Sequence, residues 1–340
     1  MAALHVRPVT RRVERRTPNY FTLHTSPFHF DLCTLNFTPF LLSFLLAACG
    51  GTGTPQATAP ALSLIPDRTK EQMLELGRRH KTAADLYQAF KDEARGGQRL
   101  AWNGLPDWSG VYSRAPVNGF AFDPDQPPGG PPTAKLTPEY RDKMMTRIEA
   151  VKRGIEWDPI STCAPPGHPR WLTEPFLREF IVTPDQTWLV NEMVNDVRRI
   201  YTDGREHVPA EDRYPLYNGD SIGFWDGSKL VIHTNQLRRG IYQRSHPDYT
   251  EQVETVEIWR KVDDGTVGAN VWVYDPPALV EPWVTKQAYT KLSDPDKSLR
   301  IRYWHCGENQ NNTVFQTEQG STQFRDLTFT TSDDKQGGGQ

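Results

Sequence analysis

Gly219-Asp-Ser-Ile-Gly-Phe-Trp-Asp-Gly-Ser-Lys-Leu-Val-Ile-His-Thr234 reads as two strands joined by a tight turn. Asp226-Gly227 separates two runs rich in β-branched and aromatic residues, and glycine there supplies the positive φ of a type I′ hairpin turn. The same stretch holds Gly219-Asp220-Ser221-Ile222-Gly223, which matches the Gly-x-Ser-x-Gly of a nucleophile elbow. That chemistry needs a helix directly after the serine, to expose it and to aim backbone N–H groups at an oxyanion. A hairpin follows here instead. The small residues are therefore expected to let an aromatic side chain from a neighbour pack close.

Working outward, the pattern repeats. Residues 178–183, 186–193, 196–202, 219–225, 229–234, 252–262, 266–275, 281–290 and 299–306 are short runs of Val, Ile, Thr and aromatics between turns. Asp264-Gly265 marks a second hairpin. Pro106–Tyr112 opens a first strand, and residues 114–132 form a Pro/Gly-rich loop. Ahead of the strands, Met73, Leu76, Ala83, Leu86 and Phe90 recur at helical spacing over residues 67–95, stopped by Gly96-Gly97. A second helix runs from the Thr137 cap, with Pro138 at its first position, to Gly154. Tyr140, Met144, Ile148 and Val151 form its apolar stripe. Consecutive hairpins with helices only at the front predict a mainly β chain, an antiparallel up-and-down β-barrel with two N-terminal helices, because closure removes exposed edges.

The N-terminus predicts export. Arg7, Arg11, Arg12, Arg15 and Arg16 face only Glu14 and Asp31 before the apolar run Phe37–Ala48. That run is shorter than the ~20 residues that span a bilayer. The stretch before Phe37 is long for a basic flank and holds no second Met, which leaves the start site open. The expected division is a signal over 1–48, a Gly/Thr/Pro/Ala-rich linker over 49–66, a helical segment over 67–103, a barrel domain over 104–330 and a disordered tail over 331–340.

Of 39 basic and 42 acidic side chains, five and two fall within residues 1–48, so the remainder carries about −6. That balance argues against a nucleic-acid partner, which needs a basic footprint. No pair of the six histidines after residue 48 has His-x-His or His-x-x-x-His spacing, so no metal site is expected.

Leu46-Ala47-Ala48-Cys49 resembles the bacterial lipobox, which implies lipidation of Cys49 and a membrane anchor on the periplasmic side, at the outer membrane in preference to the inner. With Cys33 in the signal and Cys49 lipidated, Cys163 and Cys306 remain in an oxidising compartment and are expected to pair. The loop is long, so the chain-entropy gain reaches about 4–5 kcal/mol. The same compartment has poor access to nucleotide cofactors, and none is expected. Gly110-Val111-Tyr112 resembles the Gly-x-Trp start of lipocalin-type barrels, with Tyr for Trp. Cys163–Arg170, Arg199–Arg205, Gly219–Thr234 and Tyr303–Asn309 are similar to motifs of uncharacterised bacterial exported proteins, over roughly residues 104–325. That resemblance implies fold and compartment and carries no catalytic residues.

Charged residues within strands are the candidate chemistry. Arg199 and Tyr201 share one strand face and are expected to anchor an anion and donate a phenol proton; His233, Glu254 and His305 are the expected proton carriers. Trp225, Trp259, Tyr274, Trp283 and Tyr303 are expected to line an aromatic cavity. The first expectation is a lipocalin-like barrel that binds a hydrophobic or aromatic small molecule. The alternatives are a cofactor-independent lyase, isomerase or decarboxylase acting on an aromatic molecule in the same cavity, and a structural envelope protein with a filled barrel.

Overall fold

A computed structural model describes residues 62–114, 121–126, 131–154, 158–243, 246–304, 314–316 and 322–324. Thr69 opens α1 (Lys70–Arg79) with a reciprocal capping box to Gln72. The helix expected over 67–95 is broken after Arg79, because Thr82 starts a new one. Its side chain accepts the Asp85 N–H at 3.0 Å and caps α2 (Ala83–Glu93). The second expected helix is present as α3 (Pro138–Lys152), with Pro138 at its start and Gly154 beyond its end at φ 73°.

The strands are β1 (Val111–Arg114), β2 (Arg178–Val182), β3 (Gln186–Asn191), β4 (Asp196–Tyr201), β5 (Asp220–Asp226), β6 (Lys229–Asn235), β7 (Gly240–Ile241), β8 (Asp248–Tyr249), β9 (Glu254–Asp263), β10 (Thr266–Tyr274), β11 (Trp283–Lys291), β12 (Val314–Gln316) and β13 (Thr322–Phe324). Nine of them close into a barrel in the order β1-β11-β10-β9-β6-β5-β4-β3-β2. Every neighbouring pair is antiparallel except β4 and β5, which run parallel, with Ile200 opposite Ser221. This corrects the expected simple meander: residues 202–219 form a crossover, which a parallel pair requires. The small β7–β8 hairpin lies between β6 and β9 in the chain and outside the barrel sheet. Residues 299–304, expected as a last strand, have no regular structure.

The turn chemistry follows the sequence in one hairpin and departs from it in the other. Gly227 has φ 61° between β5 and β6. At the second hairpin the Gly265 N–H donates to Asp263 Oδ1 at 2.8 Å, and the register shifts between Thr266 and Val267. In the Gly-x-Ser-x-Gly stretch, a Cβ on Gly223 would stand 2.6 Å from the Val231 carbonyl oxygen, and one on Gly219 (φ 66°) 2.4 Å from that of Asn235. Both glycines are there because the β6 backbone passes too close for a side chain.

Strand alternation divides the buried residues into two cores. Trp225, Leu230, Ile232, Trp259, Val271 and Tyr289 belong to the interior, with Trp108, Phe180 and Trp171. Ile222, Phe224, Val231, Val256, Ile258 and Trp272 face outward and are covered by Met73 of α1 and Leu86, Tyr87 and Phe90 of α2. Trp272 Nε1 donates to the Met73 carbonyl at 2.8 Å, and Tyr274 Oη to that of Gly77 at 3.2 Å, so the helices are bonded as well as packed.

Candidate functional site

Three arrangements of polar side chains stand out on this scaffold: an ionic layer inside the barrel, a line of four groups on its outer face, and a cleft beside α3.

The interior layer centres on Glu257 of β9. Arg198 of β4 donates to it through both Nη atoms, at 2.6 and 3.0 Å, Trp259 Nε1 donates at 2.8 Å, and Thr255 Oγ1 at 3.1 Å. His168 Nε2 lies 3.2 Å away. Burial opposes charge on this carboxyl, but Arg198 and His168 together hold it well below the usual carboxylate range. Burial pushes His168 down to about 4, with Arg198 adding to the effect, so its imidazole is neutral at pH 7. Arg198 also donates to Thr234 Oγ1 (2.7 Å) and Ser221 Oγ (3.3 Å). Ser221 is therefore a buried strut of this network and has no nucleophile's setting.

A second buried cation has a different environment. Arg178 of β2 donates to the carbonyls of Trp171 (2.6 Å) and Phe176 (2.9 Å), with the rings of Trp171 and Tyr289 at 4.7 and 5.0 Å. No carboxylate lies within ion-pair distance of it among the described residues, and burial lowers it to about 10. Aromatic faces and carbonyls carry the compensation that a counter-ion usually supplies. Around these charges the aromatics are in mutual contact. Trp259 stacks on Tyr289 at 5.5 Å, and Phe180 meets Trp108, Tyr112 and Tyr289 edge-on.

On the outer face, Asp220 Oδ2, His207, His233 and Glu254 Oε2 form one line. The links are 2.7 Å to His207 Nδ1, 2.9 Å from His207 Nε2 to His233 Nδ1, and 3.0 Å from His233 Nε2 to Glu254. Tyr87 of α2 stacks on His233 with ring centres 5.5 Å apart.

The third arrangement is a cleft of about 780 Å³ between α3 and the β7–β8 hairpin. Arg147 of α3 ties the two walls together, through the His246 carbonyl at 3.2 Å and an ion pair with Asp248. Of the apolar stripe expected on α3, only Met144 is buried. Tyr140 lines the cleft, as do Tyr217 and Tyr249. Lys143, Arg147, Arg238 and Arg239 are in the lining against Asp248 and Glu251, a local cationic excess in a chain of net charge −3. Arg238 lies over the Tyr217 ring, 5.0 Å from its centre.

Measured against the sequence, the structure brings together His233 and Glu254 and sets Arg199 and Tyr201 apart from them. Arg199 and Tyr201 point outward: Arg199 is exposed over Trp188, and Tyr201 lies under Arg205. Their inward neighbour Arg198 is the buried one. Trp225, Trp259 and Trp283 are buried in the interior core. Tyr274 faces the helices, and Tyr303 is 73% exposed, so neither lines the interior. Cys49, His305 and Cys306 lie outside the described residues. Cys163 is disulfide-bonded. Nothing in the sequence singles out His207 or His168 as a member of a site, since each meets its partners only through strand closure or a loop. Among the described residues no group of three or more His, Cys, Asp or Glu is placed to hold a metal ion, and no helix is long and apolar enough to cross a membrane.

Scans of the chain found no matching protein-family model and no matching curated protein.

Proposed function

We propose that the chain is an exported lipoprotein, tethered through Cys49, whose barrel domain binds an aromatic small molecule bearing an acidic group in the cleft beside α3. The observation that carries the ligand reading is the cleft itself. Its volume of about 780 Å³ lies within the roughly 300–1,000 Å³ usual for small-molecule sites. Tyr140, Tyr217 and Tyr249 offer planar apolar walls with polar tips. Arg238 is the cation best placed for a ligand's acid group, because Lys143 is paired with Glu139, Arg147 with Asp248, and Arg239 lies 3.5 Å from Glu251. The basic flank, short apolar run and Cys49 support the export half of the reading.

One observation favours a second seat, inside the barrel. Trp108 Nε1, Trp225 Nε1, Arg178 Nε, Thr187 Oγ1 and Asn191 Nδ2 are buried without a hydrogen-bond partner among the described residues. Groups of this kind are usually satisfied by water or a ligand. The two seats have different optical signatures, since the cleft is lined by tyrosines while five tryptophans belong to the interior core. Titration of the purified domain with a panel of aromatic carboxylates and their amides separates them. Binding in the cleft leaves tryptophan emission nearly unchanged and is stronger for the acid than for the amide. Strong tryptophan quenching moves the site indoors. No saturable binding by any member removes the reading.

A further inference from the structure

The line Asp220–His207–His233–Glu254 has a proton count that can be read from its geometry. Ionised Asp220 and Glu254 only accept, so His207 Nδ1 and His233 Nε2 must each carry a hydrogen. The 2.9 Å link between His207 Nε2 and His233 Nδ1 holds one hydrogen and no more. The two rings therefore carry three hydrogens on four nitrogens when all three links are made. One imidazole is neutral and the other is an imidazolium.

Either departure from three breaks one of the links. A fourth hydrogen sets two N–H groups against each other. Removal of the third leaves two lone pairs facing across 2.9 Å, or takes the donor away from a carboxylate. The line is complete in a single protonation state, and histidine is the side chain that changes charge near neutrality.

What the line holds is the crossover between β4 and β5. Thr202 is fixed to the β2–β3 turn through Pro184 and Asp185, and Leu216 to Gln236. Between them, His207 bonds to both Asp220 and His233, and the Val208 N–H donates to Asp220 at 3.2 Å. The other side-chain contacts of this stretch to neighbouring elements are exposed: Arg205 over Tyr201, and Glu206 with Lys91 of α2 at 4.0 Å.

We propose that this line is a proton-counted latch, which fastens residues 203–213 to the barrel most firmly over a bounded range of pH and loosens on both the acidic and the alkaline side.

The surrounding charges fit. Tyr87 is the group of α2 stacked on His233, and its ring face favours the shared positive charge. Lys91, from the same helix, is engaged with Glu206. Within the crossover, Arg205 pairs with Asp203, and Arg213 donates to the Val208 carbonyl at 2.9 Å. Burial works against charge on Asp220, but the His207 hydrogen bond and the Val208 N–H keep its carboxyl below the usual range. Asp220 thus remains an acceptor. The latch stands whatever the cleft binds.

Hydrogen exchange of the whole protein, read by mass spectrometry across pH and corrected for intrinsic exchange chemistry, tests it. Protection of peptides within 203–213 is expected to peak at intermediate pH and to fall several-fold on either side, while β9–β10 peptides stay constant. The decisive variant is Glu254→Gln. Its amide donates to His233 Nε2, so the line is complete with two neutral rings and two ring hydrogens. The alkaline release is then expected to vanish while the acidic release persists. His207→Ala is expected to show low, pH-independent protection. A flat wild-type profile overturns the proposal, as does an alkaline release that survives Glu254→Gln. The wild-type profile needs no variant to fold, and Glu254 sits at the more exposed end of the line.

Discussion

Arg198 gives both Nη atoms to Glu257 inside the barrel, while Arg199, one residue on, lies in solvent over Trp188. Period-2 alternation makes one of two adjacent arginines internal, and the flanking residues do not say which. Val197 is outward and 38% exposed, whereas Ile200 is fully buried inward. Parity was missed at β9 as well, where Glu257 shares the inward face with Trp259 and the expected Glu254 points outward. The buried pair has a measurable consequence. Glu257→Gln leaves Arg198 without its counter-charge and is expected to cost about 3–5 kcal/mol, whereas replacing both partners by apolar residues costs less. Urea denaturation of the single and double variants checks this. The pH dependence follows with its sign. His168 sits at about 4 in the fold against about 6.5 in the unfolded chain. Its contribution is present above the unfolded value and lost as pH falls towards 4, roughly 3 kcal/mol in all. Glu257, depressed in the fold, loses its contribution in the same direction, as pH falls below the ordinary carboxylate range. Glu174, raised by burial, opposes them. Stability is expected to decline between pH 6.5 and 4, and His168→Gln to flatten that decline.

Helices and hairpins were legible wherever their signal is local. Thr137-Pro138 and Gly154 bracket α3, and Asp226-Gly227 turns β5 into β6. Thr82 was also legible as a cap, but the apolar spacing runs on through it from Met73 to Phe90, so periodicity concealed the break between α1 and α2. Thr82→Ala is expected to destabilise the domain by about 1 kcal/mol, with thermal unfolding as the measurement. The parallel β4–β5 pair was not legible, because neighbouring strands with a polar connection read equally well as a long-looped hairpin. Glycine at 223 was read as room for a neighbour's aromatic ring, but what comes close is the β6 backbone. A Cβ there meets backbone, which cannot rotate away. Gly223→Ala is expected to destabilise by about 1–3 kcal/mol through overpacking, more than Ser221→Ala, which removes hydroxyl bonds worth about 1 kcal/mol each. If Gly223→Ala is neutral in denaturant titration, the close approach to β6 is not what selects glycine.

At the scale of the molecule, closure follows from β1, which pairs with β11 through Tyr112, Ser113 and Arg114 and with β2 through Val111 and Tyr112. The sequence showed enough strands to close and could not show which strand seals the seam. It also placed the ligand among interior aromatics. Those side chains are buried in mutual contact, and the cleft beside α3 is a separate seat with its own tyrosines. That cleft was illegible because α3, β7–β8 and Tyr217 come together only in three dimensions. Two expectations concern the whole chain. Cys49→Ala is expected to release the protein from the membrane fraction without unfolding it, as fractionation reads. Intact mass before and after reduction is expected to show Cys163 paired with Cys306. The central claim is that the domain binds an aromatic acid in the cleft, and native mass spectrometry of the purified domain measures that most directly. The wild type is expected to carry one such molecule per chain, or to take one up from an added aromatic carboxylate, and the Tyr217→Ala/Arg238→Ala variant to lose it while remaining folded. A wild type that takes up none, or a variant that binds equally well, contradicts it.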